Sequence, residues 1–255
     1  MKINELSKSR IFGLIILLFI NIFLYSIEMN EKLIFTIKYG VISAGEATLE
    51  IEESVFKDSI PIYRIKSLAK TNSFFDKIYK VRDYIESIWD KEELIALRFT
   101  KKLREGSYRQ HRIHYYYPDQ NLTMYVKFSN KTKKIKQKKS EIPINTQDIL
   151  SAFYWFRKQD IKIGGDYRIN VTTDGRNYPA KVIVHRKEKI KSIFGKVECF
   201  VVEPVLEGEA LFKQTGKILI WLTTDEKKIP VKMSSKIIFG SFKANLKKIE
   251  YGSNK

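Results

Sequence analysis

The sequence predicts a mostly β protein, an antiparallel meander forming a barrel or two curved sheets, with one amphipathic helix around residues 146–158. Three observations lead to this prediction. Apolar and polar residues alternate along much of the chain, as at Ala47, Leu49 and Ile51, which charged or hydroxyl side chains separate. Such alternation is typical of strands with one buried and one solvated face. Turn-forming residues separate many of these stretches, and no helix-bearing crossover joins them, which argues against a parallel α/β sheet.

Thirteen stretches have the composition and alternation of strands. Turn sequences such as PDQN at 118–121 and TDGRN at 173–177 separate them. So many strands with short connections favour a meander. The stretches lie near residues 33–39, 46–53, 61–70, 82–89, 94–104, 107–117, 121–129, 166–173, 178–185, 197–206, 215–222, 230–239 and 241–250.

Two segments interrupt the alternation. In the clearer one, NTQDILSAFYWFRK at 145–158, apolar residues recur at helical spacing, so one face of the helix is apolar. Asn145 is the predicted N-cap, and Asp148 follows three residues later, as in a capping box. We expect this helix to plug a barrel end or to pack across a sheet. The other segment, 72–80, is expected to hold a helical turn or two.

The first 26 residues predict export. Three basic residues precede an apolar run that continues to Ile20, which is the pattern of a signal peptide. The run is shorter than the roughly 20 apolar residues that span a bilayer. The sequence therefore predicts a signal peptide at 1–26 and a single β-barrel-like domain at 27–255. Leu24 fits poorly three residues before the cleavage point, so an uncleaved N-terminal anchor is the alternative.

The chain is strongly basic, with 47 Lys and Arg against 29 Asp and Glu and a formal net charge of +18. The predicted signal peptide has three basic residues and one acid, so the mature part keeps 18 − 2 = +16. Such an excess suits anionic partners. Heavy use of Lys beside Ile, Phe, Tyr and Asn is also typical of an AT-rich genome, and we favour that explanation of the charge.

A lysine-rich run, KTKKIKQKK at 131–139, supplies candidate contacts to an anionic surface, Lys133, Lys134, Lys136 and Lys138. The structural interpretation, which we favour, is a mobile hairpin or an edge strand whose lysines prevent sheet-to-sheet aggregation. No nucleic acid partner is expected, because an exported chain rarely meets nucleic acid and no recognised binding module is visible.

No catalytic or metal motif stands out. His111 and His114 are three residues apart in a predicted strand, so their side chains point to opposite faces and do not chelate one ion. The single cysteine, Cys199, has no partner for an internal disulfide and is expected to be a small buried hydrophobic residue. We therefore predict no metal and no cofactor, and a protein that is not an enzyme.

Four stretches of the sequence carry distinctive patterns: YGVISAGEATLEI at 39–51, DILSAFYWFRK at 148–158, Gly-Lys-Val-x-Cys at 195–199 and GKILIWLTTDEKKIPVKM at 216–233. The most distinctive are an Asp-x-x-Ser-x-x-Tyr-x-x-Arg helix and a Trp-Leu-Thr-x-Asp-x-x-x-x-Pro hairpin. In these stretches the sequence resembles the DUF3108 family, exported bacterial proteins without an established function. The resemblance implies an envelope protein of antiparallel strands curled into a barrel-like form, and it brings no catalytic residues.

Three residues of these patterns, Tyr154, Arg157 and Trp221, are candidate lining residues of a ligand cavity. Tyr and Trp suit this role because they combine an apolar body with a polar tip. The simpler interpretation, which we favour for the helix aromatics, is that they belong to the core. Asp225 and Pro230 are expected to shape a hairpin.

The leading hypothesis is an exported, non-enzymatic protein of the periplasm or cell envelope. It binds an amphipathic or anionic envelope molecule, a lipid or a glycan, or helps to place envelope components, and contact with a membrane surface is expected. The alternative is a structural or scaffolding protein with a solid barrel that docks on a protein partner. A cell-wall hydrolase ranks third. An integral outer-membrane barrel is disfavoured, because lysines such as Lys243 and Lys247 would face the lipid.

Overall fold

One antiparallel sheet of fourteen strands makes up most of the described part of the protein. The computed structural model describes residues 30–129, 132–207, 217–236 and 241–252, so the predicted signal peptide lies outside the described residues. Within these ranges, no helix is both long and apolar enough to cross a membrane. The elements are β1 (Glu31–Tyr39), β2 (Ile42–Phe56), β3 (Ile60–Thr71), α1 (Ser73–Asp76), β4 (Arg82–Asp90), β5 (Ala96–Glu105), β6 (Tyr108–Tyr117), a 3-10 turn (Pro118–Gln120), β7 (Leu122–Phe128), β8 (Ile135–Glu141), α2 (Ile149–Arg157), β9 (Tyr167–Thr173), β10 (Arg176–Ser192), β11 (Gly195–Leu206), β12 (Ile218–Thr223), β13 (Pro230–Lys236) and β14 (Ser241–Tyr251).

The sheet consists of two meanders that meet at a central pair of strands, β1 and β14. Its strand order is β8-β7-β6-β5-β4-β3-β2-β1-β14-β13-β12-β11-β10-β9. Because consecutive strands run in opposite directions, their connections alternate between the two ends of the sheet. We call one end the helix end, since it holds segment 142–166 with α2 and the turns 118–121 and 224–229. The other end, with connections 40–41 and 72–81, is the far end.

The predicted mostly β, antiparallel fold is confirmed, and the sheet is not closed, since β8 and β9 remain its two edges. Strand β8 is not among the thirteen predicted stretches, although a hairpin or an edge strand was the favoured interpretation of the lysine run that contains it. Lysines occupy both faces of this strand, for example Lys136 and Lys139, so the sequence has no alternation there. The strand nevertheless pairs with β7 from Leu122 to Phe128. Its place at the edge agrees with the interpretation of the lysine run as a protected edge strand.

The edge strand β9 is covered by a single residue of the segment that follows β8. Gln147 forms a parallel bridge with Val171. The Gln147 N–H donates to the Asn170 carbonyl at 2.8 Å, and the Gln147 carbonyl accepts from the Thr172 N–H at 2.8 Å. The Gln147 side-chain amide donates to the Leu94 carbonyl at 2.7 Å. The two edges of the sheet are thereby held near each other without a shared ladder.

The turn between β9 and β10 packs against the opposite half of the sheet. The Asp174 carboxylate pairs with Arg112 at 2.6 Å and with Lys101 at 3.3 Å. The Gly175 N–H donates to Nε2 of His114 at 3.2 Å. Burial lowers the pKa of His114 to about 4, so the ring stays neutral at ordinary pH and can accept this hydrogen bond. These contacts curl the sheet towards a barrel-like form.

Helix α2 begins at Ile149 because Asp148 caps its N-terminus. Asp148 Oδ1 accepts from the N–H groups of Leu150 at 2.8 Å and Ser151 at 3.0 Å. The Asp148 N–H donates to Ser151 Oγ at 3.0 Å, which completes a capping box. The prediction that Asn145 caps this helix is wrong. Asn145 lies three residues before the N-cap, in a left-handed conformation with φ 61°, and Asp148 supplies the cap instead.

The cap also attaches α2 to the sheet. Ser87 Oγ, from β4, donates to Asp148 Oδ2 at 2.6 Å, and both residues are fully buried. Burial raises the pKa of Asp148 to about 6, although the hydrogen bonds from Ser87, Ser151 and Leu150 act in the opposite direction. The first turn of α2 is thus fixed to strand β4 by the buried carboxyl group of Asp148.

The last turn of α2 is attached by a buried arginine. The Arg157 side chain is 1% exposed and forms an ion pair with the equally buried Glu31 at the start of β1. Arg157 also donates to the carbonyls of Lys228 at 3.0 Å and Lys227 at 2.8 Å, and its guanidinium carbon lies 5.0 Å from the Tyr154 ring centre. Burial is the largest influence and disfavours the charge, but Glu31 and Tyr154 together raise the pKa of Arg157 above its usual value, so the guanidinium stays charged.

Aromatic and aliphatic side chains fill the space between α2 and the sheet. The largest buried cluster joins α2 to strands β1 to β4 and β11 to β14, and a smaller one joins α2 to strands β9 to β12. The helix therefore fills the helix end of the curled sheet. Members of the first cluster include Leu33, Phe35, Leu49, Ile51, Tyr63, Ile65, Trp89 and Tyr154, and the second includes Phe156, Tyr167, Val202 and Leu222.

Replacing Arg157 with Met should lower the free energy of unfolding by about 3–5 kcal/mol, because Glu31 would stay buried without its partner. Adding Glu31→Gln to this variant should restore part of the loss. Denaturant unfolding measures both changes. The control is Arg168→Met, which removes an exposed pair with Asp166. A loss of less than about 1 kcal/mol for Arg157→Met, the range of exposed pairs, would contradict the buried anchor.

The unfolding free energy of the wild-type protein should fall relative to that of Asp148→Asn as the pH rises from about 4 to about 7. The folded-state pKa of about 6 exceeds the ordinary 3.8. The contribution of Asp148 is therefore complete below the lower value and is lost as the pH rises through the higher one. At about 1.4 kcal/mol per pKa unit the change approaches roughly 3 kcal/mol. Asn keeps the cap without titrating. A difference that is independent of pH would show that Asp148 titrates normally.

Candidate functional site

An apolar cavity of about 320 Å³ lies at the far end of the sheet. Its walls come from six adjacent strands, β3, β2, β1, β14, β13 and β12, and almost all of the lining surface is apolar. Four small residues leave the space open, and larger apolar side chains bound it. These residues are Ala44, Gly45, Ala69 and Ala244, and Ile37, Met233 and Phe242.

The strand register explains why these residues meet. Met233, Ala244, Ile37 and Gly45 pair in one row across β13, β14, β1 and β2, so they share one face of the sheet. Phe35, two residues before Ile37 on the same face, is already part of the buried core. The cavity is therefore a continuation of the core beyond the reach of α2, where small side chains replace large ones.

Exposed lysines lie on the outer face of the cavity wall. Lys70 and Lys243 belong to strands that line the cavity, but each follows or precedes an inward residue, Ala69 or Ala244, so alternation places its side chain on the opposite face of the sheet. The Glu46 carboxylate lies 3.6 Å from the Lys70 ammonium and 3.5 Å from that of Lys247, so two lysines share one acid there. This outer face keeps an excess of positive charge, which attracts anionic molecules.

The connection that carries α1 is fixed beside the cavity. Asp76 pairs with Arg82 at 2.6 Å and accepts from the Thr71 hydroxyl. The hydrogen bond from Arg82 lowers the pKa of Asp76 to about 2, so this carboxylate stays ionised and paired. The Asn72 N–H donates to the Ala44 carbonyl at 3.0 Å. The wall formed by β2 and the connection after β3 are thus held together.

The candidate cavity residues from the sequence are all buried. Tyr154 and Arg157 pack against each other at the helix end, and Trp221 lies on β12 with the Lys232 ammonium 4.0 Å from its ring centre. None of these three residues lines the far-end cavity. Their role in ligand binding stays a prediction. The placement of Tyr154 agrees with the core interpretation of the helix aromatics.

The hairpin expected at Asp225 and Pro230 is present between β12 and β13. Asp225 Oδ1 accepts from the Thr223 hydroxyl at 2.7 Å and from the Lys228 N–H at 3.1 Å, and Pro230 begins β13. The carbonyls of this hairpin receive the Arg157 guanidinium. The two distinctive sequence patterns of the chain therefore meet at the helix end.

The four candidate lysines lie on or just before the edge strand β8, and their side chains are exposed. The Lys138 ammonium donates to the Gly175 carbonyl at 3.4 Å. The turn before β8 lies at the far end, the same end as the cavity. Contact of Lys133, Lys134, Lys136 and Lys138 with an anionic surface stays a prediction.

The groups that often carry catalysis are dispersed. The His111 ring stacks on Phe128 at 4.3 Å, whereas His114 faces the β9–β10 turn. In the part of the chain that the structure describes, no three His, Cys, Asp or Glu side chains are placed to hold a metal. Cys199 is buried, as predicted, and burial raises the pKa of its thiol to about 11, which is unsuited to a nucleophile.

The sequence analysis did not single out the cavity residues. A signal for them exists, because Gly45, Ala69 and Ala244 occupy inward positions of strands that elsewhere place large apolar residues on that face. The pairing of β1 with β14, near opposite ends of the chain, is needed to bring Ala244 next to Ile37. A single sequence does not reveal that long-range pairing.

The fold and site define a β-barrel-like protein, a curled antiparallel sheet plugged by a helix at one end and holding an apolar cavity at the other. The family model described as "Protein of unknown function (DUF3108)" matches residues 34–247. The chain therefore belongs to the DUF3108 family.

Among solved structures, the chain is similar to a "Beta-barrel-like Protein of Domain of Unknown Function DUF1849 from Brucella abortus". The TM-score is 0.62 at 13% sequence identity, and the match covers 88% of this chain and 98% of that chain. At this identity the likeness shows the fold alone. No curated protein matches the sequence.

Replacing Gly45 with Ala should lower the free energy of unfolding by about 1–3 kcal/mol, because the new methyl group would overpack the close approach of β2 and β3. A Cβ at this position would lie 2.1 Å from the Lys70 carbonyl oxygen. The control is Gly252→Ala, whose Cβ would meet nothing closer than 3.5 Å. Thermal or denaturant unfolding compares the two variants, and equal effects would show that the strands are farther apart at the cavity wall.

Proposed function

We propose that this protein is exported to the periplasm or cell envelope and binds an amphipathic envelope molecule without reacting with it. An apolar chain of that molecule occupies the far-end cavity, and its anionic group stays outside, among the exposed lysines of the far end. The observation that carries the proposal is the almost wholly apolar lining of the cavity. Export is supported by the signal sequence predicted at 1–26.

The lining favours a lipid over a glycan. An apolar lining favours apolar groups, and burial of apolar surface contributes roughly 25 cal/mol per Å². A glycan has hydroxyl groups that must keep hydrogen bonds when they are buried. The lining residues offer little polar surface to which glycan hydroxyl groups could form hydrogen bonds. A volume of about 320 Å³ is at the lower end of the range of small-molecule sites, roughly 300–1,000 Å³.

The charge distribution favours an anionic head group. Lys70 shares the Glu46 carboxylate with Lys247, so the outer face of the sheet behind the cavity wall keeps an excess of positive charge. The chain as a whole carries a net charge of +18, which raises the local concentration of anionic molecules. The exposed lysines 133, 134, 136 and 138 are further candidate contacts for such a surface.

The test is a titration of the mature chain, residues 27–255, with a dansyl-labelled fatty acid. We expect saturable binding with a blue-shifted emission. Ala69→Leu and Ala244→Leu fill the cavity and should weaken binding by roughly tenfold or more, since the probe would lose apolar contact area.

The matched control is Ala180→Leu on β10, which does not line the cavity and should bind as the wild type does. Native mass spectrometry of the exported chain should also show a hydrophobic anionic molecule. Absence of saturable binding, or equal affinity for the cavity variants and the control, would contradict the proposal. The first of these outcomes would favour the structural or scaffolding alternative.

A further inference from the structure

Large apolar side chains are exposed at the far end, beside the cavity. Val41 is 90% exposed, Ile78 68%, Phe74 60% and Ile42 54%. We call these four residues the apolar rim. Val41 and Ile42 lie in the β1–β2 turn and at the start of β2, and Phe74 and Ile78 lie in the β3–β4 connection. The two segments are held together, since the Asn72 side chain donates to the Ser43 carbonyl at 2.7 Å. Contiguous exposed apolar surface of this kind marks an interaction site.

The apolar rim is continuous with the cavity. Phe242 lines the cavity and is itself 40% exposed, and its ring centre lies 5.2 Å from that of Tyr39. The Gly40 N–H donates to the Ser241 carbonyl at 3.1 Å, which holds the β1–β2 turn against the start of β14. A partner that covers the rim therefore also lies next to the cavity.

Exposed lysines surround the apolar rim. Lys38, Lys77, Lys80 and Lys243 all lie at the far end with exposed side chains. The carboxylate of Asp76, on α1, is already paired with a neighbouring arginine. Apolar side chains within a ring of lysines match a surface whose outer layer is anionic and whose interior is apolar. An anionic lipid bilayer has this order of layers.

We propose that the far end docks on an anionic lipid bilayer. The apolar rim enters the boundary between head groups and acyl chains, and the lysines contact lipid phosphates. Each lysine raises the affinity by about tenfold or less. This inference rests on the proposed function in one respect, because docking places the cavity next to the lipid that supplies its ligand. The bilayer contact itself does not depend on an occupied cavity.

The test is flotation of the mature chain with phosphatidylcholine vesicles that contain or lack phosphatidylglycerol. We expect binding to the anionic vesicles that weakens with added salt. The double substitution Val41→Asp/Ile78→Asp should reduce this binding roughly tenfold or more, because two apolar side chains leave the membrane boundary. The matched control, Ile144→Asp/Ile163→Asp, changes exposed residues of the helix end and should bind as the wild type does.

A second measurement does not depend on disruptive variants. The fluorescence added by Phe74→Trp should be quenched by lipids with brominated acyl chains, and that added by Ile163→Trp should not. Absence of wild-type binding to anionic vesicles, equal binding by the rim and control variants, or equal quenching at both positions would overturn the docking proposal. Fatty-acid binding that persists in that case leaves the proposed function standing. Vesicle binding without fatty-acid binding would contradict the proposed function and leave the docking proposal standing.

Discussion

The buried charge of Arg157 is the constraint on which the rest of the structure depends. A guanidinium removed from water must be paired with a carboxylate and must donate its remaining hydrogen bonds to further acceptors, and few arrangements provide them. Here they come from Glu31, at the start of the first strand, and from two carbonyls of the hairpin between β12 and β13. One side chain thereby fixes the end of α2 against both halves of the sheet. Asp148 fixes the other end of the helix through Ser87.

This attachment decides which end of the sheet is filled. With α2 held at the helix end, its aromatic side chains complete the core there, and among the described residues the far-end cavity is lined by six strands and by Val81 of the β3–β4 connection. The curl that brings the strands around the core is maintained by Asp174 with its two cationic partners and by the bridge at Gln147. The cavity is the consequence of a helix that plugs only one end.

The sequence predicted most strands because their inward apolar residues alternate with outward polar ones. This alternation is a local pattern that a single sequence displays. It failed at β8, where an edge strand has no buried face and therefore no alternation. It named Asn145 as the cap because Asn and Asp are both good capping residues, and only the backbone conformation distinguishes them. It selected Arg157 but not its partner, since Glu31 is remote in the chain. The cavity was missed for the same reason, because it depends on which small residues become neighbours through long-range pairing.

Native-state hydrogen exchange of the α2 amides tests the central claim most directly. If buried polar groups fix both ends of the helix, the amides of its last turn, from Tyr154 to Arg157, should exchange only through global unfolding, as slowly as the central strands β1 and β3. Exchange of these amides through a local opening, at a much lower free energy than that of the central strands, would contradict the account. The helix would then be a loosely attached plug, and the division between a filled end and a cavity end would not be fixed.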